Sequence, residues 1–124
     1  MPGSFTGNLL AESLRKETVL ADLPFDVHKI WRRDAGDPSV GQPRTWTFIE
    51  FEVPGAAVEQ FAETLSGALE GGPWYCDFHS DEETFVVFAD RVFRYPRGDR
   101  GGREDAERHA RSVGVPEGQI DWRE

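Results

Sequence analysis

Cysteine is nearly missing from this chain of 124 residues, and Cys76 is the only one. No intrachain disulfide can form, which excludes a secreted disulfide scaffold. Long hydrophobic runs are missing too. None approaches the ~18–20 apolar residues that a bilayer-crossing helix needs. The start, Met1-Pro2-Gly3-Ser4-Phe5, carries neither the basic region nor the apolar core of a secretory signal. The expectation is a cytoplasmic protein with no membrane partner. Positive charge is scarce: 14 Lys and Arg stand against 23 Asp and Glu, a formal net charge of −9. Affinity for nucleic acid comes mainly from neutralising phosphates, so this balance argues against such a partner.

What is present is a folding composition. Apolar residues make up 38% and charged residues 30%, with nine Phe and four Trp, whereas disordered chains are poor in large aromatics. A chain of this length is the common size of one domain and buries roughly 65–70% of its unfolded surface. No repeat, low-complexity tract or linker divides it, so residues 1–124 read as a single α+β domain, with 1–7 a loose N-terminal arm. The acidity is uneven. Residues 1–90 hold 16 acids against 6 basic residues, and residues 91–124 hold 7 against 8.

The pattern along the chain predicts the elements. Asn8 is placed to cap a short helix through about Glu17, with Leu10 and Leu14 four apart and Glu12–Lys16 an i,i+4 pair. The rival is a strand over 18–21. Leu23-Pro24 is a break. Residues 25–33 alternate, with Phe25, Val27 and Trp31 on one side, which predicts a strand. Residues 34–44 form a loop rich in Gly and Pro. Thr45–Val53 is the clearest strand, with Ile49, Phe51 and Val53 on one face and Trp46, Phe48, Glu50 and Glu52 on the other. A helix over 56–69 has the apolar stripe Val58, Phe61, Leu65 and Leu69, and Gly71-Gly72-Pro73 stops it. Strands over 74–79 and 84–89 form a hairpin. A further strand over 92–95, a helix over 103–113 and a short last strand over 119–122 complete the chain.

From about residue 45 the order is β-α-β-β-α-β. That is the split-βαβ, ferredoxin-like order, a two-layer antiparallel sheet with helices on one face. The strand over 25–33 is an extra N-terminal strand. It competes with the last strand for one edge, so the strand order stays open.

Sheet faces suggest the site. If Ile49, Phe51, Val53, Trp74, Cys76 and Phe78 face the helices, then Trp46, Phe48, Glu50, Glu52, Tyr75, Asp77, His79, Val86 and Phe88 share the opposite face. Such a face is too aromatic to stay solvated. The expected cover is the N-terminal segment, a second copy in a homodimer, a protein partner, or a small-molecule ligand on aromatic walls. The binding residues are then Trp46, Phe48, Glu50, Tyr75, Asp77, His79 and Phe88. The first reading is a non-enzymatic binding or assembly module. The alternative is a small enzyme with Glu50, Asp77 and His79 as an acid/base set, since a His beside carboxylates titrates near neutrality.

No metal and no cofactor is expected. Cys76 and His79 lie three apart on a strand and so on opposite faces, and no other Cys completes a thiolate site. Cys76 reads as a small buried hydrophobe. His28 reads as a surface residue and His109 as a packing residue beside Asp105. Arginine recurs every third residue from Arg91 to Arg103, through a Gly-rich loop into a helix start. Arg94, Arg97 and Arg100 are candidates to hold an anion there. The stretch matches no phosphate-loop motif, and Asp99, Glu104 and Asp105 interrupt it, which favours a solvated, self-paired loop.

Overall fold

Alternation of apolar and polar residues makes strands, and six of them form one antiparallel sheet in a computed structural model that describes residues 3–36 and 42–122. The strands are β1 (Phe5–Leu10), β2 (Asp26–Asp34), β3 (Thr45–Val53), β4 (Cys76–His79), β5 (Glu83–Phe88) and β6 (Arg91–Pro96). The helices are α1 (Val58–Ala68) and α2 (Arg100–Ser112). The sheet order is β2-β3-β1-β4-β5-β6. Both β3 and β4 pair antiparallel with β1, so they run parallel to each other, and α1 carries the chain across.

The two helices cover opposite faces. The α1 side buries Phe5, Leu9, Phe51, Val53, Phe61, Leu65, Phe78 and Phe85. The rings of Phe51 and Phe61 lie 5.2 Å apart, Phe61 and Phe78 5.4 Å, and Phe78 stacks on Phe85 at 5.2 Å. Burying Phe, Leu and Val side chains contributes about 1.5–3 kcal/mol each, so this cluster is the main source of stability. On the other face, Ala106 and Ala110 of α2 pack with Val86, Phe88, Tyr95, Val115 and Trp122. Small residues let α2 lie close. A Cβ on Gly102 would come within 2.4 Å of the Tyr95 Cβ. Asp90, at φ 60°, turns the chain between β5 and β6. Its N–H donates to the Ser66 carbonyl at 3.0 Å, and Ser66 Oγ donates to the Phe88 carbonyl at 2.8 Å, which ties α1 to this hairpin.

The fold class is α+β, but the strand order is unlike the ferredoxin-like one. The interior place between β3 and β4 is taken by β1, from the N-terminus. The chain therefore does not form the expected helix over 8–17, nor a strand over 18–21. A 3-10 turn over Ala11–Ser13 follows β1 instead. Residues 5–7 of the expected loose arm belong to β1, and Phe5 is buried. The deciding pattern has period two, Phe5-Gly7-Leu9, and it outweighs the two leucines at helical spacing. Gly7 fits this place alone: a Cβ would come within 2.3 Å of the Asp77 carbonyl and 2.7 Å of the Phe78 Cβ. With β1 inside, the strand over 25–33 becomes the edge strand β2, and 119–122 forms no strand. Glu117–Gln119 is a 3-10 turn.

Helices on one face is likewise corrected. Val86 and Phe88 alternate with Phe85 and Val87, so β5 is apolar on both sides and needs a helix on each. Within β2 the pairing slips between Val27 and Lys29, so Val27 pairs with Phe51 while Trp31 pairs with Phe48. This bulge puts Val27 and Trp31 on opposite faces rather than the same one. Of the expected loop over 34–44, residues 37–41 lie outside the described residues. The Ala35 N–H donates to the Arg44 carbonyl at 2.6 Å across its base.

Candidate functional site

The α2 face of the sheet is covered only in part. Over β4, β5 and β6 it lies beneath α2 and the C-terminal segment. Over β3, β1 and β4 it is a groove of about 650 Å³. Register decides which side chains share it. Asn8 of β1 pairs with Glu50 on one side and with Asp77 on the other, and in the next row Thr6 pairs with Glu52 and His79. Leu10 pairs with Phe48. Glu50, Asn8 and Asp77 thus stand in one row across three strands, with the outer backbones roughly 9–10 Å apart, two strand spacings.

Aromatic rings wall the groove. Phe48 lines it and stacks on Trp31 of β2 at 5.0 Å with planes 7° apart. The indoles of Trp46 and Trp74 meet at 6.1 Å and 57°, and Tyr75 meets Trp122 edge-on at 5.1 Å. The far wall is the C-terminal segment, and polar contacts fix it. The Tyr75 hydroxyl donates to the Gln119 carbonyl and lies 3.1 Å from Asp121 Oδ1. The side-chain amides of Gln42 and Gln119 bond reciprocally at 3.2 and 3.1 Å. Trp122 Nε1 donates to Tyr95 Oη at 2.8 Å, and Arg103 donates to the Trp122 carbonyl at 2.9 Å with its guanidinium over the indole.

The groove is acidic. Glu50, Asp77 and Asp121 line it against Arg33, with His28 and His79 beside them. His28 Nε2 lies 3.2 Å from Glu52 Oε1. Burial, then the charges of Asp77 and Asp121, push the Tyr75 phenol far above its ordinary range. It is an inert donor at neutral pH. Burial and Asp77 also raise the Cys76 thiol, and its Sγ contacts the Asn8 carbonyl at 3.3 Å on the α1 side. Trp46 Nε1 is shielded from solvent and has no hydrogen-bond partner among the described residues. Leaving a buried donor unmade costs about 1–3 kcal/mol.

No known family model matches this chain, and no curated protein or solved structure matches it significantly.

Of the binding residues expected from sequence, Trp46, Phe48, Glu50, Tyr75, Asp77 and His79 line the groove. Phe88 does not, because α2 buries it. Trp74 does line it, although alternation with Cys76 and Phe78 placed it toward α1. The strand starts only at Cys76, and the Trp74 N–H bonds back to the Gly72 carbonyl, which breaks the alternation. Thr6, Asn8 and Leu10 were missed with the strand that carries them, and Gln119, Asp121 and Trp122 because they form a wall rather than a strand. Among the described residues no group of three His, Cys, Asp or Glu is arranged to hold a metal ion, and no helix is long and apolar enough to cross a membrane.

Arg94 and Arg97 both reach the turn at the start of β5, where each meets protein oxygens. Arg94 binds Glu83 through two nitrogens at 2.7 and 2.9 Å and lies 3.4 Å from Glu59, on the α1 side. Arg97 donates to the Ser80 carbonyl at 3.3 Å. Arg100 opens α2. His109 packs on Phe88 at 4.6 Å between ring centres, and burial followed by Arg91 lowers its pKa.

Proposed function

We propose that this chain is a non-enzymatic binding module that takes a small molecule in the groove between β3, β1, β4 and the C-terminal segment. The observation that carries this reading is the uneven cover of one aromatic face. Where the face carries Val86 and Phe88, the chain covers it with its own helix. Where it carries Trp46, Trp74 and Tyr75 among carboxylates, it leaves a concavity of about 650 Å³, within the range of small-molecule sites.

Homodimerisation through this face is the weaker form of the same idea. A two-fold interface must fit itself, and two concave surfaces meeting leave a void. The acid/base alternative needs Glu50, Asp77 and His79 to act on one substrate. Glu50 and Asp77 sit on either side of Asn8 and His79 in the next row, so only a ligand spanning three strands reaches all three.

The test is a thermal-shift screen of small molecules on the wild type and Trp46→Ala. A ligand present at about 100 times its Kd stabilises by about 2.7 kcal/mol. Hits on the wild type that Trp46→Ala loses support the reading. Hits that both proteins keep, or none from a broad library, contradict it. Light scattering decides the dimer: the reading expects 14.0 kDa in solution.

A further inference from the structure

The groove changes character along β1, and the change narrows the ligand class. Thr6, Asn8 and Leu10 alternate toward the groove, while Phe5 and Leu9 face α1. From Leu10 to Thr6 the floor runs roughly 13 Å, at about 3.3 Å per residue. At the Leu10 end the neighbours are rings. Phe48 pairs with Leu10, and beyond the end of β1 the indoles of Trp46 and Trp74 meet at 6.1 Å and 57°. At the other end the neighbours are polar. Asn8 pairs with Glu50, and Thr6 follows in the next row. Thr6 and Asn8 are exposed although β1 is an interior strand. The side chains of Thr6, Asn8 and Glu50 make no hydrogen bond or ion pair among the described residues. Asp77 and His79, on the β4 side, are already engaged within the protein. Thr6, Asn8 and Glu50 are thus the polar groups of the floor that stand open to a ligand.

We propose that the groove binds a neutral glycoside of a planar ring, with the ring among Trp46, Phe48 and Trp74 and the sugar over Asn8, Glu50 and Thr6. This rests on the small-molecule reading of the groove above. Two indoles at 57° form a corner. A flat ring stacked on one turns its edge toward the other, and both arrangements are favourable. The open polar groups are a carboxylate, which only accepts, and an amide and a hydroxyl, which donate and accept. Neighbouring sugar hydroxyls also donate and accept, so one sugar serves all three. Other ligand classes serve one end only. A free sugar leaves the ring corner unfilled. A wholly apolar molecule strips water from Asn8 and Glu50 without replacing its hydrogen bonds. An anion meets Glu50 where that carboxylate needs a donor. A ring, a glycosidic link and a sugar, laid end to end along β1, match a floor of this length.

Phenyl glucoside and adenosine are the probes, one an aryl glycoside and the other a nucleoside. Each is compared with its own halves, anisole and glucose for the first, adenine and ribose for the second. All are titrated into the full chain, with calorimetry and indole ¹H–¹⁵N shifts as readouts. The expected result is that a glycoside binds at least about tenfold tighter than either of its halves, and which of the two does so identifies the source. Asn8→Ala and Glu50→Gln each weaken that glycoside several-fold and leave its ring half unchanged, whereas Trp46→Ala weakens both. Two polar variants guard against one that fails to fold. A ring half that binds as tightly as the whole, or a glycoside indifferent to both polar substitutions, overturns the inference. Failure of both glycosides to bind overturns it too. Library hits of another chemistry then leave the small-molecule reading standing, and an empty library removes both.

Discussion

The two halves of one sheet face have been treated differently by the same chain. Over β5 and β6, Val86, Phe88 and Tyr95 are buried beneath Ala106 and Ala110 of α2. Over β3, β1 and β4, Trp46, Phe48 and Tyr75 are also large rings, yet they line a groove. The difference lies in their neighbours. Val86 and Phe88 alternate with no charge, so a helix covers them without desolvating anything. Phe48 is next but one to Glu50, and Tyr75 to Asp77, so a helix laid there would bury carboxylates, which is costly unless each is paired. Aromatics interleaved with acids make a surface that the protein's own core cannot use.

That contrast is sharpest in stability. Phe88→Ala is expected to lose about 3–5 kcal/mol in urea unfolding, the usual cost of removing a buried Phe. Phe48→Ala, half-buried, should lose under about 2 kcal/mol. Equal losses would mean that the groove is part of the core and would break the comparison. Close approach of elements comes next. Gly7→Ala and Gly102→Ala force a Cβ into backbone or ring atoms and should each lose about 1–3 kcal/mol. Gly67→Ala, with nothing within 4 Å on α1, should gain about 0.5–1 kcal/mol. Trp122→Phe removes the donor to Tyr95 and should loosen the C-terminal wall at about 1 kcal/mol. If that variant still binds ligand as the wild type does, the wall is not part of the site.

The smallest effects are those of pH. Arg94 holds the Glu83 carboxyl below its usual range, first by hydrogen bonding. A lowered acid stabilises the fold above its unfolded pKa, and that contribution is lost as pH falls through the folded one. The pair is partly exposed, so Arg94→Gln should cost under about 1 kcal/mol at neutral pH and less on acidification. His109 is also lowered, by burial and Arg91, so the fold prefers it neutral. Its contribution is present above the unfolded value and declines as pH drops below about 6.5. Melting temperatures across a pH series for wild type, Arg94→Gln and His109→Gln check both signs.

Much of this was legible in the residues. Thr45–Val53 and the α1 stripe announce themselves, and alternation placed Trp46, Phe48 and Glu50 on one face with Asp77 and His79. What misled was local. The leucines of residues 9–14 offered a helix spacing, and only the partners of β1 reveal Gly7 as a close-approach residue. A one-residue slip near His28 reversed Trp31 relative to Val27. The second helix-bearing face was present in the run Phe85-Val86-Val87-Phe88, apolar at every position, which is the pattern of a strand covered on both sides. Strand order was not legible, because pairing depends on contacts far apart in the chain.

The most direct test of the groove is the indole region of a ¹H–¹⁵N spectrum, assigned with four single Trp→Phe variants and followed through titration with a screening hit. The account predicts that the Trp46 and Trp74 signals move together with one affinity, Trp122 follows weakly and Trp31, across Phe48, moves least. Shifts confined to Trp31, or an indole spectrum that no ligand disturbs, would contradict it.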